Sequence, residues 1–208
     1  MTAIAKIDAS QLDEAAALLS RAFFDYPMWE WVLPDEGHRR RALPVSARAS
    51  VQSGLLLGEA YARGEPMHGM AIWAPPGMAD SDVDPGGTRI DWNAVVDAVG
   101  AAGMRRFEAM IEVQRALHEK HIPPGGWYLP WLGVDPASQR TGAGTALLRD
   151  MFARLDPLGI ATFLETEKEA NVPYYLRHGY EIVHEGVLPD SGPGFWCFLR
   201  TPHPPSSD

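Results

Sequence analysis

The residues of this 208-residue chain that point most directly at chemistry are Gln139, Arg140, Thr141, Gly142, Ala143 and Gly144. They follow a strand-like run, Trp127–Val134, and lead into a run where Leu147, Leu148, Met151, Phe152 and Leu155 recur at helical spacing. A strand, a glycine-bearing turn and a fresh helix start make a phosphate cradle. The first backbone N–H groups of a helix have no internal acceptor and lie at the positive end of its dipole. Gly142 and Gly144 have no Cβ, so a phosphate can approach the backbone closely. The pattern is not the Gly-x-Gly-x-x-Gly of a dinucleotide fold, and it lacks the Gly-Lys-Ser/Thr of a P-loop. His68, His118, His121, His178 and His184 show no metal-ligand spacing, so no metal is expected. Cys197 is the lone cysteine, which rules out an internal disulfide and a cysteine zinc site. Its apolar neighbours Phe195, Trp196, Phe198 and Leu199 mark it as a buried strand residue.

The elements that must position this cradle follow from periodicity and punctuation. A short strand over 3–7 precedes a helix whose expected cap is Ser10, with Leu12, Ala15, Ala16, Leu19, Ala22 and Phe23 on one apolar face. Phe24-Asp25-Tyr26-Pro27 breaks it, and a second helical region, basic at Arg39, Arg40 and Arg41, runs over about 38–57. Strands over 59–63 and 68–74 are turned by Gly64-Glu65-Pro66. Residues 77–90 read as an exposed loop, and 92–99 and 104–120 as two helical segments. A buried strand over 160–166 then precedes a short helix, with Asn171 as N-cap, Pro173 in its first turn and Gly179 at its end. The sum is an α/β (α+β) pattern around a mixed sheet, in which only the strands flanking the 142–156 helix need be parallel. Residues 1–201 are expected to form one domain with a helical insert at about 77–122, and 202–208 a flexible tail.

The cradle resembles the acyl-CoA pyrophosphate loop of the GNAT superfamily of N-acetyltransferases, Gln/Arg-x-x-Gly-x-Gly/Ala, with Val134-Asp135-Pro136 fitting before it. Asn171-Val172-Pro173-Tyr174-Tyr175-Leu176-Arg177-His178-Gly179-Tyr180 resembles the superfamily's Asn-x-x-Phe-Tyr-x-x-x-Gly-Phe position by position. Leu164-Glu165-Thr166, the Asn171 block and Trp196-Cys197 look most like the puromycin N-acetyltransferase branch. The likeness implies a mixed, mostly antiparallel sheet flanked by helices, with a splayed parallel pair whose gap admits the thioester.

It also implies direct acyl transfer from acetyl-CoA to an amine, and hence two proton problems. The amine must lose a proton before attack, and the departing thiolate gains one. Tyr175 falls where the superfamily places its general acid, and a phenol with a pKa near 10 stays protonated at neutral pH. Glu165 is a candidate base; it could equally orient the substrate or bond a backbone amide. The donor is expected on Gln139, Arg140, Thr141, Gly142, Ala143, Gly144 and Thr145, with Leu132, Gly133 and Val134 pairing to pantetheine, Asn171 touching its arm and Tyr174 an apolar wall. Phe23, Phe24, Tyr26, Trp29, Trp31 and Trp73 could cage an acceptor or pack a core. Asp25, Glu30, Glu108 and Glu112 could attract an ammonium group or sit solvated.

Composition bounds the partners. Net charge is −9 and the isoelectric point about 5.2, which argues against binding nucleic acid or an anionic membrane. The start has no extended apolar core and no run is long enough to span a bilayer, so a cytoplasmic protein is expected. The expected acceptor is a small-molecule amine. A protein or peptide amine, or a non-catalytic acyl-CoA-binding module, are the alternatives, and the chain is expected as monomer or homodimer.

Overall fold

The computed structural model describes residues 3–77 and 90–202, so the loop expected over 77–90 and the tail over 202–208 fall almost wholly outside the described residues. Among the described residues one sheet runs in the order β1 (Ile4–Lys6), β2 (Glu59–Arg63), β3 (Gly69–Ala74), β4 (Trp127–Val134), β5 (Thr162–Thr166), β7 (Gly194–Arg200), β6 (Glu181–Val187). Every neighbouring pair is antiparallel except β4 and β5. Parallel neighbours need a crossover connection, and α5 (Ala143–Leu155) supplies it.

Strand alternation divides the core. Phe163, Phe195 and Cys197 face α2 (Pro27–Val32), α3 (Glu36–Leu57) and α4 (Trp92–His121). Leu164, Phe198, Ala71 and Trp73 face α5 and α6 (Val172–Leu176), packing on Leu147, Leu148, Met151 and Tyr175. α1 (Leu12–Ala22) and α3 cover β2 and β3 through Leu18, Leu19, Ala47, Val51, Met70 and Ile72.

Local chemistry differs from the sequence reading in three places. Asp8, not Ser10, caps the first helical turn: its carboxylate accepts from the Ser10 N–H, Gln11 reciprocates, and the Ser10 hydroxyl is itself spent on Asp8. The segment after Tyr26 forms α2, six residues long and too short to show periodicity, with Pro27 in its first turn. Arg39 is buried, donating to the Phe24 carbonyl at 2.9 Å and the Leu33 carbonyl at 2.7 Å, and so ties down both ends of α2. The expected 92–99 and 104–120 segments are the two limbs of α4, divided at Gly100, whose φ of 74° favours glycine.

The centre of the sheet opens. β4 and β5 register only at Trp127↔Thr162 and Tyr128↔Phe163, so the rest of β4 has no β5 partner. Just there, Ile72 and Ala74 of β3 stand opposite Trp131 and Tyr128, which leaves an extra residue on β4. Pro130, with no N–H to give a ladder, lies within this bulge.

Candidate active site

One cavity of about 730 Å³ runs through the opening between β4 and β5. The expected donor residues gather at one end: Leu132, Gly133, Val134, Gln139, Arg140, Gly142, Ala143, Gly144, Thr145, Asn171 and Tyr174 line it, with Lys168 and Arg177. Thr141 stands in the same loop, its hydroxyl donated to the Ser138 carbonyl at 2.7 Å. Arg140 at φ 64° and Gly142 at φ 85° both take left-handed backbone and curl the loop onto the start of α5. The first intrahelical bond runs from the Ala146 N–H to the Gly142 carbonyl, leaving the earlier N–H groups of α5 for an anion.

The two glycines do different work. A Cβ at Gly142 would meet nothing within 4 Å, so that side of the loop is open to a ligand. A Cβ at Gly144 would lie 2.8 Å from Tyr174 Oη, so Gly144 makes room for a tyrosine of its own chain rather than for phosphate. That hydroxyl is buried beside Thr145; burial raises the phenol pKa, and a hydrogen bond with Thr145 offsets part of the rise. His178 has Nδ1 2.7 Å from the Tyr174 carbonyl and Nε2 3.1 Å from the Thr145 hydroxyl.

Beneath the opening, the end of β5 gathers the ionisable groups. Glu165 is buried, with its Oε1 2.5 Å from His118 Nε2 on α4. The buried Tyr128 hydroxyl also bonds Glu165; burial and that negative charge hold the phenol well above its usual range. The next residue on the same face is Glu167, which the sequence reading passed over. Burial and the neighbouring Glu165 charge push its carboxyl up to about 7. Its i, i+2 spacing from Glu165 is the signal that marks it.

Tyr26, at the N-cap of α2, reaches this point across the sheet. Its hydroxyl is 2.7 Å from Thr166 Oγ1 and accepts the Glu167 N–H at 3.1 Å. Thr166 Oγ1 also accepts from Asn171 Nδ2 at 3.0 Å. Asn171 therefore does not cap α6 as expected; its amide is turned inward to brace the β5 terminus. Tyr175 is buried against Tyr174, Tyr180 and Phe198. Burial, with those neighbouring phenols and the Glu167 charge, raises its pKa far above 10, so it holds its proton.

The remaining walls come from distant segments: Phe23, Tyr26 and Met28, with Trp92, Phe107, Met110, Ile111 and Gln114 of α4. The 91–120 helices thus cover the cavity. Trp29 and Trp73 are core residues, and Phe24 carries the Arg39 and Arg40 guanidinium groups. Asp25, Glu30, Glu108 and Glu112 are exposed and do not line the cavity. Cys197 is fully buried, as expected, and burial raises its thiol pKa. Among the described residues no group of three or more His, Cys, Asp or Glu gathers to hold a metal, and no helix is long and apolar enough to cross a membrane.

A splayed parallel pair, a bulge and a helix start at the gap define an acyl-CoA N-acyltransferase fold. Residues 59–180 match the Acetyltransferase (GNAT) family, and the chain belongs to it. It is an N-acetyltransferase, and the family's acyl donor is acetyl-CoA. An uncharacterized N-acetyltransferase of Schizosaccharomyces pombe is 23% identical over 189 residues, covering 84% of this chain and 72% of that one. A Corynebacterium glutamicum structure named for histone acetyltransferase HPA2 and related acetyltransferase has a TM-score of 0.68 at 16% identity, over 99% of this chain and 98% of that one. Arylalkylamine N-acetyltransferase 2 from Aedes aegypti has a TM-score of 0.67 at 12% identity, over 97% and 99%. These two structures share the fold and differ in the acceptor that their names give.

Proposed function

We propose that this protein transfers the acetyl group of acetyl-CoA directly to the primary amine of a small molecule. The observation that supports it is one cavity joining the cradle at the start of α5 to Glu165, Glu167 and Tyr175. Acetyl-CoA supplies an activated thioester carbonyl; the chain's residues bind, orient and move protons. Backbone N–H groups of 142–145, with Arg140 and Arg177, hold the pyrophosphate, and the unpaired edge of Leu132, Gly133 and Val134 meets the pantetheine amides.

Glu167 takes the proton from the acceptor ammonium, because a carboxyl near 7 is half-deprotonated at neutral pH and still basic enough to accept. Glu165 orients: His118 and Tyr128 already occupy its oxygens. Tyr175 gives the phenol proton to the leaving sulfur as the C–S bond breaks; burial keeps it protonated until then. No covalent enzyme intermediate is needed, in keeping with a buried, protonated Cys197.

A protein amine is the rival acceptor, suggested by the name of the Corynebacterium glutamicum structure. A binding module without turnover would have no use for Glu167 and Tyr175 on one cavity. The test is thiol release from acetyl-CoA across small amines and peptides, with CoA-dependent thermal stabilisation in the same samples. Amine-dependent release that is lost in Tyr175→Phe is the expected result. Stabilisation without release from any amine would leave a binding module, and no stabilisation would remove the donor assignment.

A further inference from the structure

The cavity is divided by charge. Its basic lining residues, Arg140, Lys168 and Arg177, come from the loop before α5 and from the region of α6. Its acidic ones, Glu165 and Glu167, stand side by side at the end of β5. The walls beyond them carry no charge: Phe23, Tyr26, Met28 and Trp131, together with a stripe of α4.

That stripe sets a length scale. Phe107, Ile111, Gln114 and His118 recur at helical spacing on one face, with Met110 beside them. His118 touches Glu165, which anchors the polar end. At the helical rise of about 1.5 Å per residue, Gln114 lies about 6 Å from that anchor, Ile111 about 10 Å and Phe107 about 16 Å. Polarity falls along it, from a histidine in contact with a carboxylate through one amide to apolar side chains. Trp92, 52% exposed, stands at the outer rim.

From this we infer that the acceptor is a monocationic primary amine carried on an aromatic or other flat apolar body, with α4 as the selecting wall. The inference rests on the acetyl-transfer reading above. The ammonium sits at Glu167 and Glu165, where opposite charge offsets its lost hydration. The body lies between Trp131 and Phe23, which stack edge-to-face at 4.9 Å, and the Met110–Ile111 region of α4. A second ammonium would be stranded against apolar walls without a carboxylate. A peptide would bury amides against Phe23, Met28, Trp131, Phe107, Met110 and Ile111, where the neutral polar side chains near by are Ser50, Gln114 and a Tyr26 hydroxyl already bonded to Thr166 and the Glu167 N–H. Binding energy from the apolar body positions the amine at the reacting carbon.

The full-length protein is assayed with acetyl-CoA and four acceptors: 2-phenylethylamine, hexylamine, 1,6-diaminohexane and a hexapeptide with a free N-terminus and one lysine. Binding of 2-phenylethylamine in the presence of CoA is followed in parallel by titration calorimetry. The expected kcat/KM for 2-phenylethylamine exceeds that for the diamine and the peptide at least 30-fold. Ile111→Glu, at an exposed position that disturbs little packing, is expected to narrow the gap to the diamine at least tenfold while the KM for acetyl-CoA holds. A wild type that prefers the diamine or the peptide overturns the inference and leaves acetyl transfer standing. Absence of 2-phenylethylamine binding also overturns it. Binding without turnover of any amine upholds the pocket assignment and overturns acetyl transfer instead.

Discussion

The two ends of the cavity are built on different principles. The donor end is made largely of backbone: the edge of β4, the curl at Arg140 and Gly142, and the first N–H groups of α5, all within residues 132–145. The acceptor end is made of side chains from α1 to α2, β4, β5 and α4, brought together from across the chain. Backbone groups recognise a fixed pyrophosphate and change little with side-chain substitution. A wall of side chains can be rewritten residue by residue, so one fold serves many acceptors. The groups proposed to be catalytic sit at the seam, where Tyr26 of one end and Asn171 of the other both bond Thr166.

That contrast can be broken by substitution. The largest effect is expected at the seam: Tyr175→Phe lowers kcat by about 10²- to 10⁴-fold. Acetyl-CoA affinity, measured by titration, should move little. A kcat within twofold of wild type would remove the acid role. Next, wild-type kcat/KM should rise with pH through an inflection at about 7, since Glu167 must lose its proton to act. Glu167→Gln should abolish that limb and cost about 10²-fold at pH 8, whereas Glu165→Gln should lower activity and keep the limb. Should the limb vanish in Glu165→Gln and survive in Glu167→Gln, the two roles exchange.

The donor end is predicted to respond in KM. In Gly144→Ala the new Cβ presses on Tyr174 Oη, which should raise the KM for acetyl-CoA several-fold and cost about 1–3 kcal/mol of stability, read by denaturant unfolding. An unchanged KM for acetyl-CoA would show that Tyr174 yields freely. The smallest effect is on stability against pH. The folded carboxyl of Glu167 titrates at about 7 and the unfolded one near 4.5, so between these values the folded state binds more protons. Stability therefore falls as pH rises through that window, and Glu167→Gln should flatten the slope in pH-dependent melts.

How much of this was legible varied with distance along the chain. The Trp127–Val134 strand, the cradle and the Tyr175 block could be read because each is local: a period, a turn residue, a helix start. Glu167 was missed because its i, i+2 spacing from Glu165 puts both carboxylates on one face but does not say that the face is desolvated. α2 was missed because six residues give no period. Arg39 was legible only as part of a basic stretch, and the structure makes it a buried donor to two carbonyls. Ser10 and Asn171 have the residue types of helix caps, and in each case another side chain took the hydrogen bond.

By itself, the sequence determined the parts whose energetics are local. The left-handed glycine turn, the amphipathic helix after it and the strand that precedes it follow from steric limits and side-chain period within a few residues. Only the tertiary structure decided which carboxylate faces the cavity with a raised pKa, which aromatics line it, and that α4 forms its wall. Desolvation and charge coupling depend on neighbours that are remote in the chain, such as Glu165 and His118 or Tyr26 and Thr166, and those neighbours exist only once the sheet and its helices have packed.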